Sequence, residues 1–221
     1  MKRQPREVRE YSADEVWAAA AYADRVNGGE YLREPENILN PDGTWQPGRQ
    51  ANKRVLAEAL ANPDLVTDAD RDTGREAWHW HQGRSMMDGL RGELRDFKKT
   101  LFEAVNQTAF LSTETLNMAV IASQIRAWRA GVAEEEARDD VVPGHLAEVG
   151  AKVRAGITVI RSVFSQNYNV FFVTAKTDSR HIVFFSYRDR MEPGSQCEIA
   201  GTVKAHRDDS TQLNRVKIIL Q

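Results

Sequence analysis

The chain has 221 residues, 41% of them hydrophobic and 28% charged, with a formal net charge of −2. That length admits one sizeable core or two small ones, and the apolar fraction excludes wholesale disorder. No apolar run reaches the length of a membrane span, and no hydrophobic segment follows the basic start MKRQPREVRE, so a cytoplasmic chain is expected.

Residues 1–11 are mostly charged and read as a basic flexible arm. Ser12 with Glu15 is a capping box, in which the serine oxygen accepts from the Glu15 amide while the glutamate reaches back. The helix it opens runs to about Val26 and stops at Gly28-Gly29. Its alanines favour helix and permit close packing, and Trp17 and Tyr22 read as packing residues. Residues 30–49 are rich in Pro, Gly and Asn (EPEN, NPDG, WQPG), which predicts turns and irregular structure with Trp45 anchoring the loop on a helix. A short helix over 50–61 presents Val55, Leu56, Ala59 and Leu60 on one side, and Asn62-Pro63 ends it. A helix over 68–82 contains Trp78-His79-Trp80-His81. Histidines at i and i+2 do not share a helix face, which favours aromatic packing over a metal site. Helix continues over 84–106 with Met87, Leu90, Leu94, Phe97, Leu101, Phe102 and Val105 at helical spacing, and Gly83, Gly89 and Gly92 are its weak points. A last helix over 114–137 carries the stripe Leu116, Val120, Ile121, Ile125 and Trp128, with Glu134-Glu135-Glu136 as its solvated end.

Asp139-Asp140-Val141-Val142-Pro143-Gly144 reads as a boundary, after which the period changes from helix to strand. Five strands are expected at about 152–165, 170–177, 181–187, 196–206 and 212–220. In the last two, Cys197, Ile199, Gly201, Val203 and Ala205 alternate with Glu198, Ala200, Thr202, Lys204 and His206, and Arg207-Asp208-Asp209-Ser210 supplies turn chemistry. The hairpin they form is expected to place Asn214, Val216, Ile218 and Leu220 on one side and Leu213, Arg215, Lys217 and Ile219 on the other. Its solvent face would carry Lys204, His206, Arg215 and Lys217. From Ala151 onward the chain holds 11 Lys/Arg against 6 Asp/Glu, a net of +5, while the first 150 residues hold 19 against 26, a net of −7. A basic β domain is a candidate for contact with phosphate backbones.

No phosphate-binding GxxxxGK[ST], GxSxG or HExxH occurs. Cys197, the single cysteine, cannot form an internal disulfide and suits a reducing compartment. His145, His181 and His206 show no zinc pattern, and the carboxylate pairs Asp70/Asp72 and Asp139/Asp140 lack supporting ligands. The expectation is a non-enzyme without cofactor or metal.

The order and lengths of the five strands resemble the OB-fold, the five-stranded Greek-key barrel. The resemblance is carried by VFFVTAKTDSRHIVFF, then GTVKAH and TQLNRVKI. The last two together are similar to the C-terminal domain of uncharacterised proteins of bacteriophages and mobile elements, often encoded with replication functions. The resemblance covers roughly the last third of the chain and some of the helices (DGLRGELRDFKKTLFEAV, LNMAVIASQIRAW). Many OB-folds place a helix between strands three and four, whereas here residues 188–195 leave room only for a turn. The fold class expected is therefore α+β: a helical domain over 12–143 followed by an OB-like five-stranded barrel over 150–221.

An OB barrel binds oligonucleotides across strands two and three, bordered by the loops after strands one and four. Single strands need cations near phosphates and flat apolar faces for bases. Val170, Phe172, Thr174 and Lys176 share one face of strand two, and Arg180, Ile182, Phe184 and Ser186 share one face of strand three. On the open-face assignment, Phe172 and Phe184 are stacking candidates with Tyr168 in the bordering loop, and Lys176, Arg180, Arg188, Lys204, Arg207, Arg215 and Lys217 are candidate phosphate contacts. The competing assignment buries Phe172 and Phe184 under helices. The function expected is single-stranded nucleic-acid binding, DNA foremost, in a phage-like replication or recombination system, with a replication-protein partner on the helical domain. The alternative is a non-catalytic interaction or structural adaptor whose acidic helical domain docks on a partner.

Overall fold

The computed structural model describes residues 8–92 and 96–220, in an α+β arrangement of helices followed by a closed β-barrel. The backbone divides into two compact units, Met1–Ala130 and Gly131–Gln221. Residues 1–7 of the expected arm and Leu94 of the expected helix lie outside the described residues.

In the first unit, β1 (Glu10–Ser12) leads directly into α1 (Ala13–Val26). The capping box forms: the Glu15 amide donates to Ser12 Oγ at 3.3 Å, and the Ser12 amide donates to Glu15 Oε2 at 2.7 Å. After the helix, Gly28 and Gly29 take φ of 68° and 80°, values that side chains other than glycine rarely adopt. The tail of the expected arm is thus a strand, antiparallel to β4 (Ala109–Leu111), rather than loose chain. α1 is buried almost all round, with Val16, Trp17, Ala20 and Ala23 fully enclosed. Its alanines let α2 (Asn52–Ala61) and α3 (Asp68–Leu90) approach closely. Val55, Leu56, Ala59 and Leu60 of α2 join this core as their spacing predicts. The Trp78–His81 run is aromatic packing: the His81 ring stacks on Trp17 at 5.7 Å, and Trp78 Nε1 donates to the Val105 carbonyl at 2.8 Å.

Four local expectations are corrected. Residues 30–49 are not wholly irregular, because β2 (Asn37–Leu39) and β3 (Trp45–Pro47) pair as a small hairpin. Trp45 does not anchor it; the side chain is 67% exposed, since three-residue strands leave nothing to fold over it. The helix expected over 84–106 is not continuous: α3 runs through Gly83 to Leu90, Gly92 takes a positive φ, and α4 (Phe97–Val105) follows. The helix over 114–137 is two, α5 (Thr115–Ala122) and α6 (Gln124–Glu136), separated at Ser123, whose amide and hydroxyl both turn back to the Val120 carbonyl.

In the second unit, β5 (Lys152–Ser165), β6 (Val170–Thr177), β7 (Ile182–Tyr187), β8 (Gln196–Arg207) and β9 (Ser210–Leu220) close a barrel in the order β5-β6-β7-β9-β8. Every pairing is antiparallel except β7 with β9. This is an OB-like arrangement of five strands. Ile157, Val159, Val173, Ala175, Val183, Phe185, Ile199, Val203 and Leu213 fill the interior. Leu213 therefore does not face out with Arg215. A bulge explains the correction: Arg215 takes φ of 52° and the β8–β9 register shifts, so Leu213, Val216 and Ile218 all reach the core. His206 does not stand free on the solvent face either; it bonds the Ala147 carbonyl at 2.9 Å and stacks on His145 at 3.7 Å.

The closest helix crossing is testable. A Cβ added at Gly74 of α3 would stand 2.6 Å from the Trp17 carbonyl carbon and 2.7 Å from the Ala18 nitrogen. Gly74→Ala gains about 1 kcal/mol of helix propensity but must push the two helix backbones apart, an overpacking cost of roughly 1–3 kcal/mol. Net destabilisation of the helical unit is expected. Tryptophan fluorescence during urea unfolding reads this unit alone, because Trp17, Trp45, Trp78, Trp80 and Trp128 all belong to it. A raised urea midpoint would contradict the close crossing.

Candidate nucleic-acid interface

The interior assignment of β6 and β7 decides what their other faces present. Val173 and Ala175 point inward, as do Val183 and Phe185. Pleating then sends Phe172, Thr174 and Lys176 of β6, and Ile182, Phe184 and Ser186 of β7, to the outside. The register sets Phe172 opposite Ser186 and Thr174 opposite Phe184, so the two phenyl rings are diagonal neighbours. Their centroids lie 5.6 Å apart at an interplanar angle of 26°. Tyr168, in the β5–β6 turn and 71% exposed, meets Phe172 at 5.9 Å and 67°. Three aromatic rings thus touch in sequence on the outside of the barrel, with Phe172 and Phe184 half-buried.

The outer face extends onto β5. A bulge between Val159 and Arg161 resets the phase, placing Arg161 opposite Thr174 and Val163 opposite Phe172. Both are exposed. Neither was among the residues singled out from sequence, because a bulge inside a run of apolar and small residues has no composition signal there.

At the other end of the face, the residues after α6 lie against the strands. Lys176 Nζ bonds Asp140 Oδ1 at 2.6 Å, and Arg161 stands 3.8 Å from Glu134 Oε2. The bond from Lys176 holds the Asp140 carboxyl below the usual carboxylate range, and the nearby Arg180 charge adds to this. The Val142 amide donates to the Arg180 carbonyl at 2.9 Å. A groove of about 580 Å³ runs between Arg138 and Val141 on one side and Arg207, Asp208, Asp209 and Ser210 on the other. Thr174, Ile182 and Phe184 form its floor. Ile182, though in the outward phase, is buried.

Tyr168, Phe172, Lys176, Phe184 and Arg207 therefore converge on one face or its rim, and Arg180 sits exposed in the β6–β7 turn at its edge. Arg188 follows the outward phase of β7 past the end of the strand, at the Tyr168 end, with its guanidinium bonded to Asp189 at 2.8 Å. Lys204, Arg215 and Lys217 are not brought to this face. β9 pairs with β7 only from Ser210 to Gln212, and further along it pairs with β8, where Lys217 opposes Ala200. Those three cations belong to a separate β8–β9 ribbon.

The arrangement sets flat rings beside charged groups. Burial pushes the Cys197 thiol up, away from thiolate. Among the described residues no three His, Cys, Asp or Glu side chains are grouped as metal ligands would be, and no helix is long and apolar enough to cross a membrane. Comparison with protein-family models, curated proteins and solved structures returned no match to this chain.

Face and core are separable by truncation. Phe185 is 1% exposed, and Phe185→Ala should cost about 3–5 kcal/mol of barrel stability. Phe172→Ala, on the outer face, should cost only about 1 kcal/mol, the scale of its ring contacts. Thermal unfolding followed by strand circular dichroism checks the order; equal losses would place Phe172 in the core.

Proposed function

We propose that this chain binds single-stranded nucleic acid, DNA foremost, across the outer face of β6 and β7. The observation that carries the reading is the run of three touching rings, Tyr168, Phe172 and Phe184, turned outward from a barrel whose interior is already filled. Outward aromatics beside cations are the two ingredients that unpaired strands require. Bases stack on the rings; phosphates meet Arg180 and Arg207, and Arg161 and Lys176 lie on the same face, each beside a carboxylate of the chain itself. Little base specificity follows, because every base has a flat π-face. A phage-like replication or recombination setting, implied by the sequence resemblance, accompanies this reading.

The adaptor reading keeps one observation of its own. The β2–β3 hairpin exposes Ile38, Leu39 and Trp45, an apolar contact suited to a protein partner of the helical unit. The two readings combine if that partner is a replication protein.

Fluorescence anisotropy with labelled single- and double-stranded oligonucleotides tests the nucleic-acid reading. Two to four phosphate contacts predict a slope of log affinity against log salt of roughly −1.4 to −2.8 for a single strand. The double variant Phe172→Ala/Phe184→Ala should lose about 30-fold or more in single-strand affinity, since each stacked base contributes about 1–3 kcal/mol. Its double-strand affinity should change by less than about threefold, because paired bases do not reach the rings. Affinity insensitive to salt, or equal losses on both substrates, would remove the reading.

A further inference from the structure

The cations of the proposed interface are not all free, and what occupies them belongs to this same chain. Within the second unit, residues 131–150 hold Arg138 against Glu134, Glu135, Glu136, Asp139, Asp140 and Glu148, a net of −5. Residues 151–221 hold 11 Lys/Arg against 6 Asp/Glu, a net of +5. The two stretches cancel, so the unit as a whole is neutral.

The contact is specific in place. Asp140 takes Lys176 on β6 at 2.6 Å, and Glu134, whose Oε1 accepts from Arg138 at 3.0 Å, turns its Oε2 toward Arg161 on β5 at 3.8 Å. Arg161 opposes Thr174, which stands two residues from Lys176 on the same face, so the two cations are neighbours on adjacent strands. These positions flank the ring platform, and the same stretch forms one wall of the groove floored by Phe184. Two carboxylates thus lie where two phosphates of a bound strand would lie.

The attachment is also light. Each ion pair keeps one partner open to solvent: Asp140 is 53% exposed against 22% for Lys176, and Arg161 58% against 27% for Glu134, while Val141 and Val142 are only half-buried. One backbone hydrogen bond, from Val142 to Arg180, is added to the ion pairs. Exposed ion pairs are weak and screened by salt, so they exchange readily for a better-placed anion. A segment fixed for structural reasons alone would be held by buried apolar side chains.

We propose that residues 134–142 form a displaceable acidic strap that imitates a phosphate backbone and competes with nucleic acid for the β5–β6 cations. The proposal rests on the single-strand reading above. Lys176 has three donors, but while Asp140 holds it a phosphate meets a charge already half-compensated, so full engagement of a strand requires the strap to leave. The strap also suppresses counterion release, because Lys176 and Arg161 are already neutralised before the strand arrives.

The test compares the full chain with Glu134→Gln/Asp140→Asn, using a labelled oligo(dT) of about 15 nucleotides, a length within the site size of such barrels. Glu148→Gln/Glu192→Gln is the control of equal charge change away from the strap's ion pairs. The strap variant should bind about three- to tenfold more tightly at low salt. Its salt slope should be steeper by about 1.4, for two more released counterions. The control should shift affinity by less than about twofold, as expected of charges screened from the face. Amide exchange at residues 139–142 of the unmodified chain should rise when oligo(dT) is added. Equal affinity and slope in strap variant and unmodified chain overturn the strap alone. So does an equal gain in the control, or an exchange rate at 139–142 that stays constant or falls. Absence of oligo(dT) binding by either protein at low salt overturns the strap together with the reading beneath it.

Discussion

Closure of the barrel is the constraint on which everything else in the second unit depends. A closed sheet has an inside of fixed volume, and its strands must alternate between that inside and the solvent. Once Val173, Ala175, Val183 and Phe185 fill the interior, the residues interleaved with them have no inward place to go. Phe172 and Phe184 are therefore outside through the geometry of their neighbours, not through any preference of their own. Phenylalanine on an exterior face is unfavourable in isolation, and the contacts from ring to ring recover some of that cost. The result is an apolar surface that water wets poorly and that a flat heteroaromatic ring would cover well.

Charge supplies the second half of the face, and here position outweighs count. The barrel segment is basic overall, yet its cations are distributed over two surfaces. Arg161, Lys176, Arg180 and Arg207 surround the aromatic rings, whereas Lys204, Arg215 and Lys217 lie on the β8–β9 ribbon, where His206 is already stacked on His145. Electrostatic attraction alone would not distinguish those surfaces, since a phosphate meets a guanidinium equally on either. Stacking distinguishes them, because the run Tyr168, Phe172 and Phe184 lies on one. Asp208 and Asp209 stand beside Arg207 at the groove rim and work against an anionic ligand there.

The features of this architecture legible from sequence are those that follow from strict periodicity. β5 to β9 alternate with period two, and the turns between them carry Asn, Asp, Ser, Pro and Gly, so their order and approximate limits could be read directly. The capping box at Ser12 and the apolar side of α2 were legible for the same reason. What escaped the reading is where a single residue breaks the period. An arginine at φ of 52° is unusual, and nothing in QLNRVKI announces that Arg215 will take it; the consequence is that Leu213 changes sides. The break at Ser123 is similar, since neither glycine nor proline marks it. Trp45 failed in the other direction, because large aromatic residues are usually buried and this one sits on strands too short to be covered.

The acidic run at 134–140 shows why composition misleads when read one segment at a time. Taken alone, Glu134-Glu135-Glu136 is a solvated helix end, and Asp139-Asp140 is a turn before a domain boundary. Each description is sound locally, but both leave out the partner, which lies some twenty to forty residues further on in Arg161 and Lys176. Ion pairs across such a separation leave no periodic trace, because a charged residue satisfies solvent and a distant partner with the same side chain. The one sign in the sequence was coarser, a basic stretch after Ala151 following an acidic one. On the proposed reading, a basic surface gains from carrying its own weak anion, since a ligand must then outcompete a local carboxylate rather than merely a mobile salt ion. That requirement favours ligands presenting several phosphates and a stackable ring at once over any that present charge alone.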